Sequence, residues 1–228
     1  STLVKALSGD IRLAAGRVEM NGRALGAWRR RDAARLRGIL PQASSLSFPF
    51  RAHEVVLMGR APHIAGVERP RDYEIARSAM ALAEVGHLWD RLYPTLSGGE
   101  QQRIQLSRVL AQIWDPPEGG QARVLILDEP TSSLDIAHQH AVLAAGKRLA
   151  GDGVAVLAVL HDLNLAIAYA DRIAVLDRGR LVAVGSREQV CEDDLHSEVF
   201  GVRLETCWDK EAGHPFVVAR PNASGSLC

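Results

Sequence analysis

Val124-Leu125-Ile126-Leu127-Asp128-Glu129-Pro130, followed directly by Thr131-Ser132-Ser133-Leu134-Asp135, is the stretch on which the reading of this chain turns. Consecutive apolar residues without polar alternation predict a strand buried on both faces, the kind found in the middle of a parallel sheet. The strand runs into two adjacent carboxylates and a proline. The acids therefore belong at its carboxyl end, the edge at which open α/β sheets bind ligands. A core strand ended by two solvated acids is the bland alternative, and the surrounding sequence has to separate the two.

Working outward, residues 154–160 form a second uninterrupted apolar run, ending at His161-Asp162 as the first ends at Asp128-Glu129. Parallel strands bring their ends to one edge, so His161 is expected to face the same site as Glu129. Residues 38–42 read as a short strand ending in Gln42. Upstream of the first acidic pair stands Leu96-Ser97-Gly98-Gly99-Glu100-Gln101-Gln102-Arg103, with Ile104, Leu106, Val109, Leu110 and Ile113 following at helical spacing. Ser-Gly-Gly before a helix makes a turn whose N–H groups and hydroxyl can approach a phosphate, and the helix N-terminus adds about half a positive charge.

The first nine residues read as a helix stopped at Gly9. Ser1-Thr2 at its start matches the hydroxyl position that closes a phosphate-binding Gly-x-x-x-x-Gly-Lys-[Ser/Thr] loop. In that register the glycines, the lysine and the first strand are missing from the chain as given. Asn21-Gly22 predicts a hairpin in an antiparallel piece. The arginines between Trp28 and Gly38 read as the solvated face of a short helix, with no aromatic residues interleaved to stack bases. Residues 48–63 are apolar but broken by Pro and Gly, as much a docking surface as a core. Helices are expected over 72–85, 136–151 and 163–170, and a strand over 173–177. Residues 115–121 read as a surface loop, and periodicity is lost after Lys210.

At 228 residues, 47% hydrophobic and 24% charged, the chain is long enough for one α/β domain with a core. Lys+Arg and Asp+Glu both number 27, so net charge favours neither nucleic acid nor an anionic membrane as partner. Cys191, Cys207 and Cys228 lack a CxxC pattern, which fits a reducing compartment without a metal site. No apolar run approaches the roughly 18 residues that span a bilayer, and no signal peptide opens the chain, so any membrane role is expected through a partner.

Together these motifs resemble the ATP-binding-cassette family. LSGGEQQR is similar to its signature, residues 124–129 to a Walker B element, Ser133-Leu134-Asp135 to a D-loop, Gln42 to a Q-loop glutamine and His161 to a switch histidine. The resemblance implies an α/β fold of the P-loop NTPase type: a mostly parallel sheet, an antiparallel β piece and a helical signature subdomain at about 43–115, all within a nucleotide-binding domain over 1–220. The tail over 221–228 is expected to be without structure.

The resemblance further implies an ATPase subunit in which ATP meets Ser1, Thr2, Ser97, Gly98, Gly99, Gln102 and Asp135. Mg²⁺ is held by Ser1, Gln42 and, through water, Asp128. Glu129 is the general base, assisted by Gln42 and His161. It implies two copies facing head to tail, a separate transmembrane permease, a periplasmic or surface substrate-binding protein acting indirectly, no nucleic acid, and a peripheral place on the cytoplasmic face of the inner membrane. Within the family, the stretch from Gln42 to Phe50, Met58-Gly59-Arg60, Arg91-Leu92-Tyr93-Pro94-Thr95 and Leu110-Ala111-Gln112-Ile113-Trp114 are most similar to haemin importers, which sit beside those for siderophores and cobalamin. A soluble cassette in DNA repair or translation would carry a coiled-coil insertion or a second cassette, and neither is present. A cassette lacking its phosphate loop and acting only as a binding module is the third reading.

Overall fold

A computed structural model describes residues 2–42, 46, 48–132, 134–192 and 199–220. The expectations for Ser1, Ser133 and the tail from Pro221 lie outside the described residues. The chain divides into two units, Ser1–Val159 and Leu160–Cys228.

In the first unit, helix α1 (Thr2–Ser8) stops at Gly9, whose φ of 78° suits a residue without a side chain. Strands β1 (Glu19–Met20) and β2 (Arg23–Ala24) form the predicted hairpin, with Asn21 at φ 52° and Gly22 at φ 71°, as a tight primed turn requires. Helix α2 (Arg30–Leu36) carries the arginine cluster. Its face is not merely solvated: Arg31 and Arg35 both donate to the Pro62 carbonyl and Arg31 also to that of Ile64. The guanidinium groups close a loop that has no strand partner of its own.

Strand β3 (Arg37–Leu40) follows, then helices α3 (Ala52–Met58), α4 (Pro70–Leu82) and α5 (Gly98–Gln112), strand β4 (Arg123–Asp128), helix α6 (Ile136–Gly151) and strand β5 (Val154–Val159). The three strands lie parallel in the order β3-β4-β5, so the Asp-Glu strand is the central one. Leu125, Ile126, Leu127 and Asp128 are all buried, as a strand covered on both faces requires. β5 departs from expectation. Val154 is buried but Leu157 is 38% exposed, because among the described residues β5 has a hydrogen-bonded neighbour on one side only.

The apolar stretch that reads equally as core or docking surface divides. Val55, Val56 and Leu57 on α3 are buried, whereas Phe48 is 68% exposed. Helices α3 and α4 pack against α5, and α5 also packs on β3. Ile104, Val109 and Leu110 of α5 are fully buried, each contributing about 1.5–3 kcal/mol of apolar burial. Two glycines make this seat possible. A Cβ on Gly38 would lie 2.6 Å from Val109 Cγ1, and one on Gly59 would lie 2.0 Å from the Arg108 carbonyl oxygen.

Pro116 and residues 119–121 of the expected surface loop are exposed, while Asp115 at its start joins a charge cluster with Arg60. Arg60, 3% exposed, donates from Nε to Asp72 (3.0 Å), from one terminal nitrogen to Asp115 (2.7 Å) and from the other to the Ala111 carbonyl (2.8 Å). Burial pushes the Asp72 carboxyl up, but the Arg69 N–H and the Arg60 guanidinium outweigh it and hold the group below the usual carboxylate range. His63 donates from Nε2 to the Gln112 carbonyl at 2.8 Å, and burial lowers its pKa.

The second unit comprises helix α7 (Leu163–Tyr169), strands β6 (Ile173–Asp177) and β7 (Arg180–Gly185), helix α8 (Arg187–Glu192), and strands β8 (Arg203–Asp209) and β9 (His214–Arg220). The region expected to lose periodicity after Lys210 instead holds β9, paired antiparallel with β8 from Arg203↔Arg220 to Asp209↔His214. Asp209 Oδ1 accepts from the Glu211 and Ala212 N–H groups, a local turn that the mixed composition conceals. Asn164 on α7 pairs both ways with Val217 of β9, at 3.0 and 2.8 Å, over a core of Ile167, Val190 and Val217.

Gly59→Ala is expected to lower stability by about 3 kcal/mol, since its Cβ meets backbone that cannot rotate away. Denaturant unfolding followed by circular dichroism measures this; an unchanged midpoint would show that α3 and α5 separate freely.

Candidate functional site

The carboxyl end of β4 supplies the first half of the site. Asp128 is 5% exposed and its Oδ1 is buried with no hydrogen-bond partner among the described residues. Glu129 has φ 51°, in the left-handed region that costs a residue with a side chain about 1–2 kcal/mol. The surroundings fix it there. Its N–H donates to the Val159 carbonyl of β5 at 3.1 Å, and its own carbonyl accepts from Ser132 N–H at 3.3 Å and from Ser132 Oγ at 3.1 Å. Gln42, two residues past β3, donates from Nε2 to Glu129 Oε2 at 2.6 Å. Strained backbone held from several sides is characteristic of functional positions.

The second half is the start of α5. Ser97 is its N-cap in a capping box: Ser97 Oγ accepts from Glu100 N–H at 3.3 Å, while Glu100 Oε2 accepts from Ser97 N–H at 2.8 Å and from Ser97 Oγ at 2.9 Å. The Ser97 N–H, then its hydroxyl, hold the Glu100 carboxyl below its ordinary range. Ser97, Gly98, Gly99 and Glu100 share an open cleft of about 360 Å³ with Arg103, Leu134, Asp135 and His138. Asp135 is the N-cap of α6, accepting from His138 N–H at 2.9 Å and pairing with His138 Nδ1 at 2.7 Å. The same two His138 groups, the backbone N–H foremost, lower its pKa. The helix N-terminus and the Arg103 guanidinium favour an anion in this cleft, against the Glu100 and Asp135 carboxylates that also line it.

The structure thus brings Gln42 to Glu129, and Asp135 to Ser97, Gly98 and Gly99. Gln102 turns inward: its Nε2 donates to the Pro130 carbonyl at 2.7 Å. Thr2 opens α1 and is exposed. His161 follows β5 by two residues, at the beginning of the second unit. His138 escaped the sequence reading, although its place three residues after a helix-capping Asp made it detectable in principle; Arg103 closes the signature stretch, but its place in this cleft comes only from the packing of α5.

Residues 1–132 match the family model described as ABC transporter. This chain belongs to that family. It is accordingly an ABC ATPase, with the expected α/β fold around a parallel sheet. The Hemin import ATP-binding protein HmuV of Gloeobacter violaceus is 52% identical to it over 98% of this chain and 81% of its own length. The protein of the same name from Myxococcus xanthus is 50% identical over 98% and 83%. Among solved structures, an inward-facing metal-chelate type ABC transporter superposes with a TM-score of 0.76 at 26% identity, covering 96% of this chain and 82% of that one. An ATP-binding cassette in its ADP conformation, 18% identical with a TM-score of 0.70 over 87% of this chain and 82% of its own, shares the fold.

In this ABC ATPase, Glu100→Ala is expected to cost about 0.5–1 kcal/mol and to speed amide exchange in the first turn of α5. The folded carboxyl titrates below its unfolded value of about 4.3, so the same protection is present above that pH and is lost as pH falls through the lower folded value. Hydrogen exchange of the Gly98 to Gln101 amides against pH is the measurement; exchange that ignores both the substitution and the acid would rule the box out as the turn's support.

Proposed function

We propose that this chain is the ATP-hydrolysing subunit of an importer that powers uptake of haemin, or a related iron chelate, through a separate membrane permease. The observation that carries the catalytic part is the strained Glu129, oriented by Gln42 at the end of the central strand beside a buried Asp128 oxygen that has no partner among the described residues. The cargo rests on the relatives' names, and the metal-chelate type neighbour supports the broader class of cargo. Among the described residues no helix is long and apolar enough to cross a membrane, in keeping with a subunit docked peripherally on a permease, at the cytoplasmic face of the inner membrane. A periplasmic or surface substrate-binding protein would deliver the cargo without touching this chain.

Mg²⁺ suits the oxygen donors here, since it takes one or two carboxylates and completes its shell with water and phosphate. The orphaned Asp128 Oδ1 and the Gln42 amide oxygen are fitting partners, with Ser1 as the hydroxyl ligand implied by its register. The ion would neutralise charge on the phosphates. The chain's own residues do the rest. Glu129 accepts the proton of the water that attacks the γ-phosphorus as the bond to ADP breaks. Gln42 keeps that carboxylate aimed, and His161 steadies the γ-phosphate.

Thr2, Ser97, Gly98, Gly99 and Asp135 contact nucleotide in a head-to-tail homodimer. There, one copy's strand-end acids and the other's signature turn clamp each ATP, the half-positive helix end of α5 facing the γ-phosphate.

Glu129→Gln is expected to keep ATP binding and to reduce turnover by about a hundredfold or more; steady-state phosphate release at the wild-type rate would show that another group activates the water. Ser97→Arg is expected to leave the monomer folded and abolish ATP-dependent dimerisation, read by light scattering. For the cargo, vesicles carrying the permease and this subunit should take up haemin when ATP is supplied. Uptake of an iron-siderophore or cobalamin in place of haemin would reassign it.

A further inference from the structure

We propose that Gln102 is a positioning residue for the hydrolytic carboxylate, joining the helix that begins at the signature turn to the turn that carries Glu129. The inference rests on the reading of Glu129 as general base. Gln102 Nε2 donates to the Pro130 carbonyl at 2.7 Å, across 28 residues of sequence. Pro130 directly follows Glu129 and, being proline, has no N–H. Its carbonyl is therefore the one backbone hydrogen-bonding group through which that residue can be held. The backbone of Glu129 itself is held at its N–H by the Val159 carbonyl and at its carbonyl by Ser132. Gln102 supplies the hold on the next peptide, and the three together pin a left-handed residue that would otherwise relax toward φ below zero.

The remainder of the Gln102 amide argues against simple packing. Its Oε1 is buried without a partner among the described residues, a loss that an apolar side chain of the same shape would avoid. What a glutamine adds over methionine at this position is the N–H aimed at Pro130. Gln102 lies one turn into α5, beyond Gly98 and Gly99, so a shift of the signature turn reaches Glu129 through a single bond.

The test compares Gln102→Met, which keeps the length and removes the donor, with Gln102→Glu, which sets an oxygen against the carbonyl. Each is made in the full protein, alone and together with Glu129→Gln, and read by single-turnover ATP hydrolysis and nucleotide Kd. Gln102→Met is expected to slow hydrolysis about tenfold, the rate equivalent of one neutral hydrogen bond. Gln102→Glu should slow it further. Kd should not move, and neither substitution should slow hydrolysis further once Glu129 is Gln, because the residue acts through that carboxylate. An equal loss in both backgrounds would make Gln102 structural, and a raised Kd with an unchanged rate would make it a nucleotide contact; either overturns the proposal. Wild-type turnover in Glu129→Gln alone would instead overturn the general-base reading on which this one stands.

Discussion

The close approach of α5 to its neighbours is the constraint on which the rest of the first unit depends. At Gly59 the backbone of α3 comes so near the Arg108 carbonyl that no side chain fits between them, and at Gly38 the same helix leaves no room on β3. Contacts of this kind have no soft direction, because the opposing atoms belong to backbone or to a buried β-branched residue. α5 is thereby fixed against the strand next to β4. The turn at its N-terminus and the acids at the end of β4 belong to the same compact unit, and the Gln102–Pro130 bond joins them.

Charge is handled in opposite ways in two parts of that unit. Beneath the helices, Arg60 is almost wholly removed from water, yet its three nitrogens meet Asp72, Asp115 and the Ala111 carbonyl, and Arg71 adds a second cation to Asp115. Burying a charge is tolerable only when its partners are this complete. At the strand end the rule is broken: Asp128 is as buried as Asp72, but one of its oxygens has no partner among the described residues. A cluster that serves only the fold satisfies its acids. A carboxylate with an unpartnered oxygen at the ligand edge of a sheet supports the proposed role of meeting a ligand from solution.

Much of this was legible in the chain. The run ending at Asp128-Glu129 specified the central strand because an unbroken apolar segment has no wet face to offer. The Ser-x-x-Glu spacing at Ser97 specified the start of α5 because its cap is a local bond. The hairpin at Asn21-Gly22 followed from two residues that accept positive φ. The hairpin of β8 and β9 was hidden, since its turn relies on an aspartate side chain and its second strand starts beside a proline. β5 reads like β4 in composition, but among the described residues it is paired on one side only, and strand pairing is something composition does not encode.

The same division holds at the site. The motifs marked Asp128, Glu129, Gln42, Ser97, Gly98, Gly99 and Asp135 as chemistry-bearing, because each motif is a short pattern whose spacing already carries its geometry. No pattern announced that Glu129 stands in left-handed backbone, that Gln102 reaches Pro130, or that Arg60 gathers two distant aspartates. Each of those results involves segments separated along the chain, and such meetings are set by how helices and strands pack. The motifs sufficed to point to the family and its class of reaction and to mark candidate residues; only packing could say how those residues are aimed, since direction comes from neighbours that the chain brings together on folding.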